Sequence, residues 1–133
     1  MSKPCPCHSG LPYKTCCQPL HLGKPASNAE ELMRSRYTAY ALNLPDYIIK
    51  TTHPDNPAYL SDHKKWSSEL LTFSETTQFL GLEILDSHED DHEASVTFKA
   101  ILKQNGQDAS FTEKSRFLKE NSHWLYFSGV ISH

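Results

Sequence analysis

The sequence predicts an α+β domain, helices first and a curved antiparallel sheet second, with a small cysteine-bearing appendage at the N-terminus. Three observations predict it. Apolar residues recur every three or four positions from Ala29 to Leu44, the period of a helix. After Thr77 the chain changes to runs of β-branched and aromatic residues divided by short turn signals, the mark of hairpin-linked strands. All the cysteines, Cys5, Cys7, Cys16 and Cys17, lie ahead of both patterns.

The cysteine stretch reads C-x-C, eight residues, then C-C. A thiolate pair one residue apart can hold one ion from an extended turn, and a second pair after a short loop completes a tetrahedron of sulfurs. Zn²⁺ takes such closed sulfur sites as structural centres, at roughly 2.3 Å per Zn–S bond. A segment this short buries no core of its own, so it is expected to need the metal to fold. Disulfides are the competing reading. Cys5 and Cys7 are too close to bridge comfortably and a Cys16–Cys17 bridge is strained, so only cross-pairing remains. The start Met1-Ser2-Lys3-Pro4 carries no apolar leader, which favours a reducing, cytoplasmic setting and therefore zinc. Four sulfurs leave no open position for water, so the zinc is expected to be structural, not catalytic. His8 and His21 lie close enough to substitute as ligands.

These residues carry a resemblance. Cys5-Pro-Cys-His-Ser-Gly-Leu-Pro-Tyr-Lys-Thr-Cys-Cys17 resembles the SEC-C motif, a zinc-binding module also found at the tail of the SecA preprotein translocase motor. The match includes all four ligands together with Ser9, Gly10, Tyr13 and Lys14. It departs at His8, where glycine is usual, and at Leu11-Pro12, where lysines are common. The resemblance implies a zinc module over residues 1–20 that serves to dock a protein partner.

Gln18 to Ala26, with two prolines and a glycine, reads as a linker. Ser27 and Glu30 are spaced as a capping box that opens a helix over about 28–43. Ala29, Met33, Tyr37, Tyr40 and Leu44 form its buried stripe, and Arg34 and Arg36 flank that stripe. Pro45 suits the first turn of a short helix to about Thr51. His53-Pro-Asp-Asn-Pro57 ends it, and a further helix from Asp62 to Phe73 buries Trp66, Leu70 and Phe73. Strands are expected at Thr77–Leu85, Ala94–Lys103, Ser110–Lys119 and Trp124–Ile131. Val96, Phe98, Ala100 and Leu102 alternate with outward residues, and the short connections make the strands an antiparallel meander.

A second resemblance covers the rest of the chain. Arg34-Ser-Arg-Tyr-Thr-Ala-Tyr40, Thr52-His-Pro54, Leu80-Gly-Leu-Glu-Ile-Leu85, Glu113-Lys-Ser-Arg-Phe117 and Trp124–Gly129 are similar to the YchJ-like bacterial family. In that family a SEC-C motif precedes a nuclear-transport-factor-2-like (cystatin-like) domain, a cone of curved sheet closed by helices. The resemblance implies such a domain over 27–133. The family has no assigned activity.

The net charge of −3 gives no bulk attraction to nucleic acid or anionic membrane, and Arg34, Arg36 and Arg116 form no contiguous basic block. No apolar run reaches the roughly eighteen residues of a membrane span. The acidic run Asp86–Glu93 lacks the glycine and spacing of a calcium loop and reads as a soluble hairpin tip. Candidate ligand-binding residues are Arg34, Arg36, His53, Glu113, Ser115 and Trp124. Alternation puts Phe111, Glu113, Ser115 and Phe117 on one face, a carboxylate and a hydroxyl between aromatics. Glu113 is expected to pair with Arg34, Arg36 or Arg116, tying sheet to helix. His53 sits in a loop able to cover the open end of the cone. No set of residues names a catalytic group. The reading is therefore an interaction or small-ligand-binding module with structural zinc, and the alternative is a lyase or isomerase working inside the cone.

Overall fold

The computed structural model describes residues 3–132. Pro4 and Pro12 pair across the first loop, and Cys5 N–H donates to Leu11 O at 2.9 Å, which folds the C-x-C segment back on itself. A 3-10 turn at Tyr13–Thr15 delivers Cys16 and Cys17, and a one-turn helix α1 (Gln18–His21) follows. The expected linker therefore begins as ordered helix. Helices α2 (Ala29–Ala41), α3 (Pro45–Lys50) and α4 (His63–Glu75) come next. Strands β1 (Thr77–Glu89), β2 (Glu93–Gln104), β3 (Gln107–Asp108), β4 (Phe111–Glu120) and β5 (His123–Ser132) complete the described chain.

The start of α2 differs from expectation by one residue. Asn28 is the N-cap, its Oδ1 accepting from Glu31 N–H at 2.8 Å, and Glu31 Oε1 accepts from Ser27 N–H at 3.0 Å. The reciprocal capping logic holds, with Asn28 and Glu31 in the places assigned to Ser27 and Glu30. At the other end Asn43 takes φ 63°. Its N–H reaches Tyr40 O and the next N–H, of Leu44, reaches back to Ala39 O at 2.8 Å. That is the double closure of a helix ending on a left-handed residue.

The sheet runs in the order β1-β2-β4-β5, all antiparallel, with β3 a two-residue extension pairing β2. Asn105 and Gly106 take φ of 51° and 77°, the left-handed pair a two-residue hairpin turn needs. The third expected strand, Ser110–Lys119, begins at Phe111, and the Ser110 hydroxyl, in place of a backbone carbonyl, accepts from Leu102 N–H at 3.0 Å. At the acidic tip β1 extends to Glu89, so the turn is shorter than expected. Asp90 accepts from the N–H groups of His92 and Glu93 at 2.9 and 2.8 Å, and these bonds hold its carboxyl below the usual range.

Met33 and Tyr37 of α2 are buried against Leu82, Val96, Phe98, Ala100, Leu102 and Phe117 of the sheet. The alternation along β2 is thus the core face, and burial of these side chains is the main favourable term holding helix to sheet. Tyr37 also donates to Gly81 O at 2.9 Å, and burial pushes its hydroxyl up to about 12. A satellite cluster of Ala39, Ile48, Trp66 and Leu70 joins α2, α3 and α4. Among the described residues no helix is long and apolar enough to cross a membrane.

Candidate functional sites: a cysteine cluster and an apolar cavity

The four cysteines converge. Their sulfurs lie within 4.8 Å of one another, none is in a disulfide, and the Cys7–Cys16 and Cys16–Cys17 pairs stand 3.6 and 4.0 Å apart. A tetrahedron with metal–sulfur bonds of about 2.3 Å has edges of about 3.8 Å, so the cluster fits a metal ion. Hydrogen bonding from Cys17 lowers Cys7 to about 4, while its bond to Cys7 and then burial drive Cys17 upward, and burial raises Cys16 to about 11. One thiolate suppresses ionisation of the others, so four thiolates together need a cation among them. His8 and His21 are not ligands in this arrangement. His8 adopts φ 61°, the left-handed conformation that explains why glycine suits that position.

The cluster is packed on the main domain. Thr38, buried on α2, lies 3.4 Å from Cys17 Sγ and 3.6 Å from Cys5 Sγ. Arg34 donates to Cys7 O at 3.0 Å and pairs with Glu30 at 3.4 Å. His21 bonds Tyr13 OH through Nδ1 and Ser35 O through Nε2, both at 2.8 Å. Since a carbonyl only accepts, Nε2 carries the proton, and burial lowers the ring's basicity. Cys5, Cys7 and Cys17 belong to the same buried cluster as Met33 and Tyr37.

On the opposite side of α2 lies a cavity of about 300 Å³ between that helix, α4 and the sheet. Its walls are apolar and aromatic, from Met33, Tyr37, Tyr40, Leu70, Phe73, Phe79, Phe98 and Phe111. Arg36, Glu113, Ser115 and Tyr126 also line it. Glu113 Oε2 accepts from the Ser115 hydroxyl and, at 3.1 Å, from Tyr126 OH. Glu113 Oε1 accepts nothing among the described residues. Burial, then the Glu113 carboxylate, raises the Tyr126 hydroxyl well above its ordinary value.

The expected Glu113–arginine pair is not formed. Arg36 is turned inward, only 8% exposed. Its NH1 donates to Ile48 O and to the Thr51 and Thr52 hydroxyls at 2.7–3.1 Å, because the end of α3 presents acceptors that a buried guanidinium must use. Its plane lies over the Tyr126 ring, 4.6 Å from the centroid. Arg116 pairs with Glu93 on the sheet's outer side.

Of the six candidate ligand-binding residues, Arg36, Glu113 and Ser115 line the cavity, and three lie elsewhere. Arg34 serves the cysteine module, as above. His53 accepts from Asp55 N–H at Nδ1 and therefore donates from Nε2 to Glu120 Oε1 at 2.7 Å. With His53 N–H on Tyr126 O and Tyr126 N–H on Thr51 O, both at 2.8 Å, it pins the loop after α3 to β5. Trp124 is core, with the Lys119 ammonium 5.5 Å from its ring centroid.

Tyr126 completes the polar end of the cavity, and Gly129 lies against the Glu113 carboxylate, a position sequence reasoning did not single out. Residues three apart on a strand normally face opposite sides. A register shift lets Phe117 pair with Tyr126 while Ser115 pairs with Gly129, so both face inward. A β-carbon at Gly129 would lie 2.5 Å from the Glu113 carboxylate and 2.6 Å from Tyr126 OH. Gly129 therefore makes the room in which that carboxylate sits.

The comparisons with known proteins agree with this architecture. The YchJ middle NTF2-like domain matches residues 28–129 and the SEC-C motif residues 1–19. Fold and site thus define a nuclear-transport-factor-2-like cone carrying a SEC-C module. The chain belongs to the YchJ family. UPF0225 protein plu2503 of Photorhabdus laumondii is 42% identical over 98% of this chain and 82% of its own length. RPA3114, a SEC-C motif containing protein from Rhodopseudomonas palustris, superimposes with a TM-score of 0.84 at 35% identity, covering 98% of this chain and 100% of that one. A SEC-C motif containing protein from Psychrobacter arcticus gives 0.78 at 31% identity, over 98% and 84%.

Proposed function

We propose that this chain is a small-molecule-binding protein whose cone holds the ligand and whose N-terminal cysteines hold a structural zinc. The observation that carries the reading is the cavity of about 300 Å³, apolar along its walls with a carboxylate oxygen left free in its lining. Ligand pockets begin at about this size and combine apolar walls with a few placed polar groups. Zinc is supported by a donor set of four sulfurs with no open position, the composition of structural zinc centres. In this reading the ion, when bound, supplies only a cross-link.

Binding is favoured over turnover by what lines the cavity. Among the described residues the lining offers one carboxylate, Glu113, and no histidine or cysteine, whereas a lyase or isomerase calls for an acid–base pair near neutrality. Docking of a protein partner through the module draws on Leu11, 53% exposed at the loop. It is the lesser reading, because three of the four cysteines are buried against the cone.

The test is calorimetric titration of the full chain with naphthalene. One saturable site per chain is expected in the unmutated protein. Ala100, on the cavity wall and buried, offers a way to fill the space, and Ala100→Phe is expected to abolish binding. Unchanged binding in that variant, or no saturable binding of naphthalene or of any simple naphthyl derivative by the unmutated protein, overturns the reading.

A further inference from the structure

We infer that the cavity takes a neutral, compact two-ring molecule bearing one hydroxyl, whose O–H donates to Glu113 Oε1. The inference rests on the small-molecule-binding reading above and names the chemical class of the ligand.

Size comes first. A dry cavity of roughly 150 Å³ accommodates benzene. The volume here, about 300 Å³, is about twice that, so two fused rings fill it and one leaves it loose. The walls favour flat apolar surfaces. Phe98 and Phe111 meet edge to face at 6.1 Å between centroids, and Tyr37 and Phe79 at 5.6 Å, an arrangement that leaves ring faces available for a flat guest.

The charge of the ligand follows from the polar groups. Glu113 is a side chain 9% exposed whose Oε2 is already served by Ser115 and Tyr126, and whose Oε1 has no donor among the described residues. That oxygen is not sealed from solvent and can only accept, so a ligand polar group placed against it is a donor. An anionic head would meet the Glu113 carboxylate. A cationic head would meet the Arg36 guanidinium, which stacks on the same Tyr126 that bonds Glu113. A neutral hydroxyl satisfies Oε1 without adding a charge to a buried place that already holds one of each sign.

Gly129 keeps this geometry open. With no β-carbon it leaves room beside β5 for Oε2, the oxygen that Ser115 and Tyr126 hold. The oxygen left over is thereby fixed before any ligand arrives, and such pre-organisation reduces the cost of binding.

The experiment is a calorimetric series on the full, zinc-loaded chain with naphthalene, 2-naphthol, 2-naphthoate and 2-naphthylmethylammonium. A hydrogen bond to a charged group contributes enough for 2-naphthol to bind at least about tenfold more tightly than naphthalene, with the two ions weaker than 2-naphthol. Glu113→Gln is expected to reduce the naphthol advantage to within about threefold and to improve 2-naphthoate. The series on the unmutated protein stands alone if that variant does not fold. Equal affinity for naphthalene and 2-naphthol overturns this inference and leaves the binding reading intact. Tightest binding of either ion also overturns it, since Arg36 or the bare carboxylate would then be the recognition element. Binding of none of the four removes the binding reading and the inference with it.

Discussion

Removing the metal from the cysteine cluster is expected to destabilise the whole protein, not only its first residues. Cys5, Cys7 and Cys17 share a buried cluster with Met33 and Tyr37, and the module is fastened to α2 at Thr38, Arg34 and Ser35. Structural zinc contributes on the order of 10 kcal/mol in isolated zinc-finger peptides. Much of that is offset here by packing that survives in the metal-free chain, so the expected loss is about 3 kcal/mol or more. Denaturant unfolding under reducing conditions, with and without a strong chelator, measures it. Cys17→Ser should behave like the chelated protein. Amides from Cys5 to His21 should exchange faster in both, and the Thr38 segment with them. An unchanged unfolding midpoint after verified metal removal contradicts the cross-link.

The second large effect is expected at a glycine on the sheet. Gly129→Ala places a methyl 2.5 Å from the Glu113 carboxylate and 2.6 Å from Tyr126 OH. Either the carboxylate swings away or β5 moves outward, and overpacking of this kind costs about 1–3 kcal/mol. Movement of the carboxylate also removes the fixed oxygen, so the advantage of 2-naphthol over naphthalene should disappear. The neighbouring Val130→Ala, at a side chain 73% exposed, serves as control and should leave both stability and binding near their original values. Unaltered naphthol binding in Gly129→Ala would show that Glu113 is free to rearrange and is not held in place.

The sequence disclosed most where a short pattern maps directly onto chemistry. The cysteine spacing identified the sulfur cluster, and the alternation along Val96–Leu102 identified the core face of β2. Helix and strand order followed from the same periodicities. Arg36 was misplaced for a physical reason. A single apolar stripe assumes one buried face, but α2 is covered by the module, the sheet and α3 at once, so Ser35, Arg36 and Thr38 are buried as well. Polar residues on such a helix are anchors, and their partners lie far along the chain: Ile48 O, Thr51 and Thr52 for Arg36, and the sulfurs for Thr38. The Glu113 partner was missed for a related reason. Local alternation cannot anticipate the register shift that turns both Tyr126 and Gly129 inward, and without it the carboxylate had only arginines to pair with. His53 illustrates the opposite case. This loop histidine beside a proline was a candidate ligand-binding residue, yet it ties the loop to the backbone of β5 and to Glu120.

The cavity can be observed through one atom. The sequence has two methionines, Met1 and Met33, and Met33 lies on the cavity wall. Protein labelled with ¹³C at the methionine methyls therefore carries a reporter inside the site and a second at the chain terminus. Titration with 2-naphthol is expected to shift the Met33 methyl resonance saturably at one equivalent. Ring currents from a bound guest should make the Met33 shift large. A Met33 resonance that does not move while calorimetry records binding would place the ligand outside the cone and contradict the account.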